Sequence, residues 1–517
     1  MIENSLLDIK NLSYGMDVII ISVTSTHEAI FWQKRLDEMR GQIVKRDALI
    51  LTVYEDWDKG AGNALGTLYA FQKACEISLS KYNIDLVHLL DQEKSIAIYH
   101  TAGKGTRLSP MTGCEYNSKS RIKLVGRLFN KNSQGSITLL EAVIRQTSIL
   151  APKRKGRLSV FWGDQIFIPS DDLKETLHEI DLLIKPIDRT PTEKEWIEKG
   201  YDKYGFVIVD EKGQMRQLEK LSYMAFSNIA LAKGETIAFS LGSFSLSKSI
   251  LEAFLKEFEP ELKEKNTSLD SDPHLWMPLS LSKELYLAIM NNREANSDFY
   301  EEHFWRMQSF KNKFLNDKKD ILLGATSMGK ETLWWDYGNR QSYFENSLKL
   351  IENTEESKAL RNFFSITHKI ENSCHTSDLK VENSILINCN IRSGVIKNSV
   401  LINVSANKIN INKSVILNSS AQNIESKESI LYNCLENGLI SVQENQIRAD
   451  NFSEENGQIK LYHKIYSDLA WDVPVEDNPL SFQELYQINQ QINPAQGQKL
   501  ATVMQNKIKQ ALFDLQM

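Results

Sequence analysis

A fifteen-residue repeat in the C-terminal half limits the possible folds of this chain more than any other feature. Four copies of a short apolar run, bounded by Asn, Ser, Lys and Glu, lie between residues 382 and 433. One copy cannot bury its own apolar side chains, so successive copies must stack to form a core. The repeat therefore predicts a β-solenoid over residues 371–445. The serine of each copy marks the period: Ser384, Ser399, Ser414 and Ser429.

The N-terminal part alternates strand-length apolar runs with helical patterns. Residues 17–23, 47–53 and 96–99 are predicted strands, and residues 87–90 are a further strand candidate. Alternation at this spacing predicts an α/β domain with a parallel, doubly wound sheet. Such sheets bind ligands beyond the carboxyl ends of their strands.

Composition narrows the classes of function. The net charge of −6 and the pI near 6.0 give no broad basic surface for a nucleic acid. The five cysteines form no CxxC pair, which argues against a disulfide framework or a zinc site. Residues 18–23 are far too few to cross a bilayer, and no basic segment precedes them. We expect a cytoplasmic protein with no membrane partner.

The predicted strand at 96–99 leads into a glycine-rich loop at residues 100–112. Gly103 and Gly105 would let backbone N–H groups approach a phosphate, because no Cβ stands in the way. Lys104 and Arg107 would neutralise its charge. As a bare pattern, Gly-x-Gly is more often an ordinary tight turn.

The longer pattern Gly-x-Gly-Thr-Arg-Leu-x-Pro-x-Thr after a strand resembles the nucleotide-binding signature of the sugar-1-phosphate nucleotidyltransferases (sugar-nucleotide pyrophosphorylases). The resemblance implies a Rossmann-like doubly wound mixed sheet and transfer of a nucleoside monophosphate from an NTP to a sugar 1-phosphate. The residues that it implies in nucleotide binding are Ala102, Gly103, Lys104, Gly105, Thr106 and Gly163.

Two aspartates match the family's metal ligands. Asp164 follows Gly163 at the end of a predicted strand, where a carboxylate can hold Mg²⁺ together with phosphate oxygens. Asp336 lies in a Trp-x-Asp-x-Gly segment that also contains Tyr343 and Asn346, as in the family's second metal site. The alternative for Asp336 is a cap on the following helix.

The family also places a lysine shortly after the signature, to hold the triphosphate and the sugar phosphate. Lys123 matches this position best, with Lys119 and Arg121 as competitors because the spacing is longer here. The alternative is a solvated basic loop. The implied catalytic residues are Arg107, Lys123 and Asp164.

A Tyr-Gly strand and a Glu-Lys pair in the family line the sugar phosphate site. Gly205, Glu219, Lys220 and Gly242 match these features in order and type. The alternative for Glu219 and Lys220 is an ion pair that faces solvent.

A second glycine-rich segment at residues 60–68 resembles the loop of the fucose-1-phosphate guanylyltransferase branch, although Asn63 and Ala64 depart from its usual glycine. This branch implies GTP with a fucose- or mannose-like sugar. A UTP-dependent enzyme acting on glucose 1-phosphate, and a non-catalytic scaffold protein, are the alternatives. An ordinary strand-to-helix turn is an equal alternative for residues 60–68.

The predicted domains are a catalytic domain at 1–350, a linker at 351–370, the solenoid at 371–445 and a partly helical extension at 446–517. The predicted solenoid resembles the left-handed β-helix that follows the catalytic domain in several nucleotidyltransferases. We expect it to have a structural role rather than acyltransferase activity. Residues 482–517 are predicted as one or two amphipathic helices. The solenoid or these helices would be the surfaces of any homo-oligomer.

Overall fold

The structure is a computed structural model that describes residues 1–57, 60–127, 135–187, 189–229, 231–291, 297–315, 322–468, 471–475 and 478–514. The protein is of the mixed α/β class, with both parallel and antiparallel strand pairs. Within these ranges, every helix is too short or too polar to cross a lipid bilayer.

The chain divides into two compact units. Unit 1 comprises Met1–Ala102, Arg145–Trp162 and Phe167–Leu333, and unit 2 comprises Gly103–Ile144, Gly163–Ile166 and Trp334–Met517. The division does not follow chain order, so unit 2 takes three segments from the predicted catalytic domain, at 103–144, 163–166 and 334–350. The predicted linker at 351–370 contains a helix.

The helices are α1 (Ile2–Asn11), α2 (Thr26–Glu38), α3 (Gly62–Tyr82), α4 (Leu86–Asp91), α5 (Met111–Cys114), α6 (Leu139–Thr147), α7 (Glu193–Lys199), α8 (Tyr223–Ser227), α9 (Lys248–Glu257), α10 (Glu259–Glu264), α11 (Met277–Ser280), α12 (Lys283–Asn291), α13 (Ser297–Leu315), α14 (Arg340–Lys349), α15 (Glu355–Phe363), α16 (Phe482–Gln491) and α17 (Pro494–Asp514). Two of them, α16 and α17, agree with the predicted C-terminal helices, of which residues 515–517 lie outside the described ranges.

The strands are β1 (Val18–Val23), β2 (Leu49–Tyr54), β3 (Ile96–His100), β4 (Lys123–Arg127), β5 (Ser136–Thr138), β6 (Arg157–Trp162), β7 (Gln165–Ile168), β8 (Ile180–Pro186), β9 (Gly205–Val209), β10 (Met215–Glu219), β11 (Thr236–Ser247), β12 (Leu323–Ser327), β13 (Leu333–Asp336), β14 (Ile370–Glu371), β15 (Cys374–His375), β16 (Leu379–Glu382), β17 (Ile385–Ile387), β18 (Asn390–Lys397), β19 (Val400–Ile402), β20 (Ser405–Asn412), β21 (Val415–Leu417), β22 (Ser420–Lys427), β23 (Ile430–Tyr432), β24 (Leu439–Ser441), β25 (Gln446–Ser453) and β26 (Gly457–Lys464).

Unit 1 is built on one mixed sheet. Strands β2, β1, β3 and β6 run parallel in that spatial order, with Ile20 opposite both Leu51 and Ile98. Every residue of β1 is buried, as expected for a central strand that is covered on both faces. Beyond β6 the sheet continues through β11, which pairs antiparallel with β6, β8 and β9. The predicted parallel strands therefore form one part of a mixed sheet.

The predicted strand at 87–90 was wrong, because these residues lie in α4. Asp85 caps this helix by accepting hydrogen bonds from the N–H groups of Val87 and His88. A four-residue apolar run has no periodicity that separates a strand from a buried helical turn. The capping aspartate decides the matter in favour of the helix.

The glycine-rich segment at 60–68 includes the first residues of α3, and its backbone N–H groups are bonded to other parts of the protein. Gly62 has φ 71°, and a Cβ there would lie 2.4 Å from the carbonyl oxygen of Leu269. The N–H of Asn63 donates to a carboxylate at 2.9 Å, and that of Ala64 to the Leu269 carbonyl at 2.9 Å. Because these donors are already bonded, the geometry favours the ordinary turn over a phosphate contact.

In unit 2, residues 370–464 form two sheets, and the parts of both sheets that lie within residues 370–441 are here called the stacked ladder. One sheet has the order β14-β17-β19-β21-β23-β25-β26, and the other has the order β15-β18-β20-β22-β24. Within the ladder neighbouring strands are parallel, and partners such as Ile402 and Leu417 are one repeat apart. All residues of β17, β19, β21 and β23 are buried. The apolar runs of the repeat thus form the core of the ladder.

Asparagines at the corners of the ladder explain why the repeat keeps this residue. Asn388, Asn403, Asn418 and Asn433 have φ between 50° and 56°, a left-handed conformation that asparagine tolerates better than most residues. Their side chains donate to one another along the ladder, at 3.1, 2.8 and 3.0 Å. Each corner therefore fixes the next.

We predict that Asn403→Ala lowers the free energy of unfolding by about 2–3 kcal/mol, because two hydrogen bonds are lost and alanine disfavours positive φ. Asn403→Gly should lose less, since glycine adopts this φ freely. The exposed Asn410→Ala is the matched control. Urea denaturation that found Asn403→Ala and Asn410→Ala equally stable would contradict this account of the corners.

Candidate active site

Two aspartates of unit 2 meet beside Gly338. Asp164 lies in the turn that follows β6, and Asp336 is the last residue of β13. A Cβ built on Gly338 would lie 2.9 Å from Asp164 Oδ2 and 2.9 Å from Asp336 Oδ1, so these oxygens are at most twice that distance apart. We call these two residues the carboxylate pair. Any other residue at position 338 would therefore require these carboxylate oxygens to shift.

Hydrogen bonds hold the main-chain carbonyls of both residues of the carboxylate pair. Tyr337 N–H donates to the Asp164 carbonyl at 2.9 Å, and the Asn346 side-chain amide donates to the Asp336 carbonyl at 2.7 Å. The cap of α14 is Asn339, whose Oδ1 accepts from the N–H of Ser342 at 2.8 Å. Asp336 is therefore not the helix cap that the sequence left open as an alternative.

Cations surround the carboxylate pair. Lys119 Nζ lies 3.0 Å from Asp164 Oδ2 in a largely buried ion pair. Burial, and then the negative charge of Asp164, raise the pKa of Asp336 to about 6. The Gly338 N–H and the charges of Arg107 and Lys119 act in the opposite direction. The site thus holds two carboxylates that repel each other, with two cations close enough to offset part of this repulsion.

The glycine-rich loop has its backbone donors available. Gly103 has φ 147° and Gly105 has φ 60°. Within the described part of the chain, the N–H groups of residues 103–105 donate no hydrogen bond. A Cβ at Gly105 would lie 2.8 Å from Thr112 Cγ2 and 3.2 Å from Lys119 Cβ, so the loop packs directly against the lysine that pairs with Asp164. Successive free N–H groups at positive φ form an anion-binding concavity.

The other implied members of this loop are placed as follows. Thr106 and Arg107 begin a short 3₁₀ turn, and Ala102 ends the first segment of unit 1. Arg340 donates from Nη1 to the carbonyls of Arg107 and Ser109, both at 3.3 Å. The loop is therefore held in place by a guanidinium from α14.

Lys123 does not face the carboxylate pair. Its Nζ forms an ion pair with the buried Glu115. Glu115 also accepts from the Tyr432 hydroxyl at 2.7 Å, and that hydroxyl accepts from the Lys123 N–H at 2.9 Å. Of the three cations proposed from the sequence, the structure brings Lys119 to the aspartates, ties Lys123 to the ladder and buries Arg121.

Unit 1 holds the residues implied in sugar phosphate binding. Gly205 lies opposite Glu219 in the β9–β10 pair, and Lys220 Nζ lies 3.3 Å from Glu219 Oε1. A Cβ on Gly205 would lie 2.7 Å from Glu219 Oε2. Gly242 is packed on Trp162 instead, since a Cβ there would overlap the indole nitrogen. Three of the four residues therefore form one cluster.

Sequence reasoning missed two contributors to the site in unit 2. Arg340 lies inside the segment that contains Asp336, and its place at the start of α14 was the available signal. Tyr486, whose ring centroid lies 5.9 Å from Lys104 Nζ, comes from α16, where no sequence pattern marked it.

The described residues offer a metal ion few acidic, histidine or cysteine side chains at this site. Among the described residues, no group of three or more His, Cys, Asp or Glu side chains gathers around one point. The carboxylate pair supplies two ligand groups, and this small number suits an ion that also binds phosphate oxygens and water.

No family model and no curated protein sequence matches this chain.

We predict that Asp336→Asn is more stable than the wild type above pH 6. A carboxyl whose pKa is raised by folding loses its stabilising contribution as the pH rises from the unfolded value through about 6. Asparagine keeps the shape without the charge. The expected gain at pH 8 is about 2–3 kcal/mol, and the gain should vanish near pH 4.

Chemical denaturation of both proteins at pH 4 and pH 8 measures this difference. Asp472→Asn, which removes an exposed carboxylate, is the control. An Asp336→Asn variant less stable than the wild type at pH 8 would show that the two carboxylates do not repel each other as described.

Proposed function

We propose that the protein is a sugar-1-phosphate nucleotidyltransferase, which joins an NTP and a sugar 1-phosphate into an NDP-sugar and releases pyrophosphate. The observation that carries this proposal is the meeting of Asp164 and Asp336 with Lys119 and Arg107, beside a loop with available N–H donors. A packing role alone would not require two repelling carboxylates in one place.

The residues present fit a Mg²⁺ ion. Oxygens of both aspartates face one point beside Gly338. Burial, and then the negative charge of Asp164, raise the pKa of Asp336, and a divalent cation would offset the repulsion between the two carboxylates. When bound, Mg²⁺ would neutralise charge on the phosphate oxygens. Asp164 and Asp336 would hold it.

The reaction requires positioning more than covalent chemistry. A phosphate oxygen of the sugar 1-phosphate attacks the α-phosphorus in line, a new P–O bond forms, and the bond to the β-phosphate breaks. Pyrophosphate leaves with the electron pair. Lys119 and Arg107 lower the repulsion between the two anionic substrates, and the N–H groups at 103–105 bind phosphate oxygens.

We interpret the sheet of unit 1 as the Rossmann-like sheet of this enzyme class, and the stacked ladder as its left-handed β-helix. In this interpretation the ladder supports the site rather than adding an activity. GTP with a fucose- or mannose-like sugar 1-phosphate is the first substrate pair to test, and UTP with glucose 1-phosphate is the second.

We predict that Asp164→Asn and Asp336→Asn each lower turnover roughly a hundredfold or more, because charge stabilisation at the α-phosphate is lost. Pyrophosphate release with GTP and UTP over a panel of sugar 1-phosphates, with Mg²⁺, measures this effect. Asp472→Asn should retain wild-type turnover. Wild-type turnover in Asp164→Asn would refute the proposed role of the carboxylate pair, and a wild-type protein inactive on the whole panel would favour a scaffold protein.

Substitutions of Lys119 and of Lys123 should have different effects in the same assay. Lys119→Met should lower kcat/KM at least about tenfold, because a cation beside the reacting phosphates is removed. Lys123→Met should mainly lower stability, by about 2 kcal/mol, because buried Glu115 loses a cation. The reverse pattern, with activity lost mainly in Lys123→Met, would restore Lys123 as the substrate-binding lysine.

A further inference from the structure

Helix α16 packs against the segment that follows the glycine-rich loop. A Cβ on Gly113 would lie 2.4 Å from Leu485 Cδ2, so this leucine packs directly on the glycine. Asn489 Nδ2 donates to the Gly113 carbonyl at 2.8 Å, and Asn117 Nδ2 donates to the Tyr486 carbonyl at 2.8 Å. The main chain of Tyr486 is therefore fixed by the segment that also carries Lys119.

The ring of Tyr486 forms an aromatic pair with Trp471 next to the loop. The two ring centroids are 5.8 Å apart, with the planes inclined at 60°. Lys104 Nζ lies 5.9 Å from the Tyr486 centroid. Both aromatic residues are half-buried and Lys104 is exposed, so each aromatic residue keeps part of its surface in solvent.

Contacts run without a break from the carboxylate pair to this aromatic pair. Asp164 is bonded to Lys119, and the Cβ of Lys119 lies against Gly105. Gly105 is the neighbour of Lys104, which reaches Tyr486. An extended ligand with phosphates on the loop would therefore have its other end within reach of the two rings.

We propose that Tyr486 and Trp471 bind the base of the nucleotide by stacking, which makes the C-terminal segment part of the active site. This inference rests on the proposed function, since it assigns the base end of the same NTP. A nucleobase is planar and offers a π-face whatever its identity, and aromatic side chains stack on such faces. The anionic phosphates of the NTP would bind the loop and its cations. The uncharged, planar base would then contact the two rings.

The test compares ligands with and without a base. Titration calorimetry with Mg²⁺ would measure binding of GTP, UTP, a sugar 1-phosphate and inorganic tripolyphosphate to the full chain. Tyr486→Leu, which keeps apolar volume without a π-face, should weaken NTP binding roughly ten- to a hundredfold. Its affinity for tripolyphosphate should stay within about twofold of the wild-type value, because the loop and its cations are unchanged.

Two further variants serve as matched controls. Tyr486→Phe keeps the ring and should bind NTPs within about threefold of the wild type, which shows that the ring matters. Tyr466→Ala removes an exposed tyrosine elsewhere in unit 2 and should change nothing. Trp471→Ala tests the second ring, so the proposal stays falsifiable even where Tyr486→Leu fails to fold.

Each outcome decides the question. Selective loss of NTP binding in Tyr486→Leu or Trp471→Ala supports the inference. Unchanged NTP binding overturns it, and so does an equal loss of NTP and tripolyphosphate, which would mean that the rings only shape the loop. Loss of sugar 1-phosphate binding alone would assign the rings to the sugar and also overturn it. A wild-type protein that binds no nucleotide would refute the proposed function itself, and the inference with it.

Discussion

The carboxylate pair is the constraint on which the rest of the site depends. Burial, and then the negative charge of Asp164, raise the pKa of Asp336, because an oxygen of each aspartate lies 2.9 Å from one point beside Gly338. Proteins keep such arrangements mainly where chemistry uses them. Here the cost is offset by Lys119 and Arg107 and by rigid main-chain hydrogen bonds to both aspartates. The nearby cations therefore offset one electrostatic cost, which is the closeness of two carboxylates.

The stacked ladder contacts this site through a third buried carboxylate. Glu115 accepts hydrogen bonds from Tyr432 and Asn433, at the end of β23, and pairs with Lys123. Glu115 lies four residues before Lys119. The end of β23 therefore fixes the segment from which Lys119 reaches Asp164. Tyr432 stands where the other copies of the repeat have an aliphatic residue, and its hydroxyl donates to Glu115. Corner asparagines keep β23 in register with the rest of the ladder.

Local patterns predicted those features that local interactions determine. The buried strands at 18–23 and 96–100 and the period of the ladder follow from short apolar runs and from corner residues that repeat at fixed spacing. Patterns also singled out Asp164 and Asp336, although only the fold brings residues so distant in sequence together. The pattern favoured Lys123 over Lys119, because the contacts of Lys123 with Glu115 and Tyr432 cannot be read from the sequence. The helix at 86–91 was missed for a smaller reason, since its capping aspartate was not weighed against the apolar run.

The two glycine-rich segments show most clearly where sequence reasoning stops. Both offer glycines at positive φ near basic or polar neighbours, and by pattern each was a nucleotide loop or a simple turn. At 60–68 the donors are taken by the backbone of Leu269 and by a carboxylate beside it, some two hundred residues away in sequence. At 103–105 the donors bond to nothing within the described part of the chain, and the adjacent cations are positioned by contacts within unit 2. Whether a glycine turn can receive an anion is therefore decided by what else reaches its N–H groups, and this is a property of tertiary structure that no motif records.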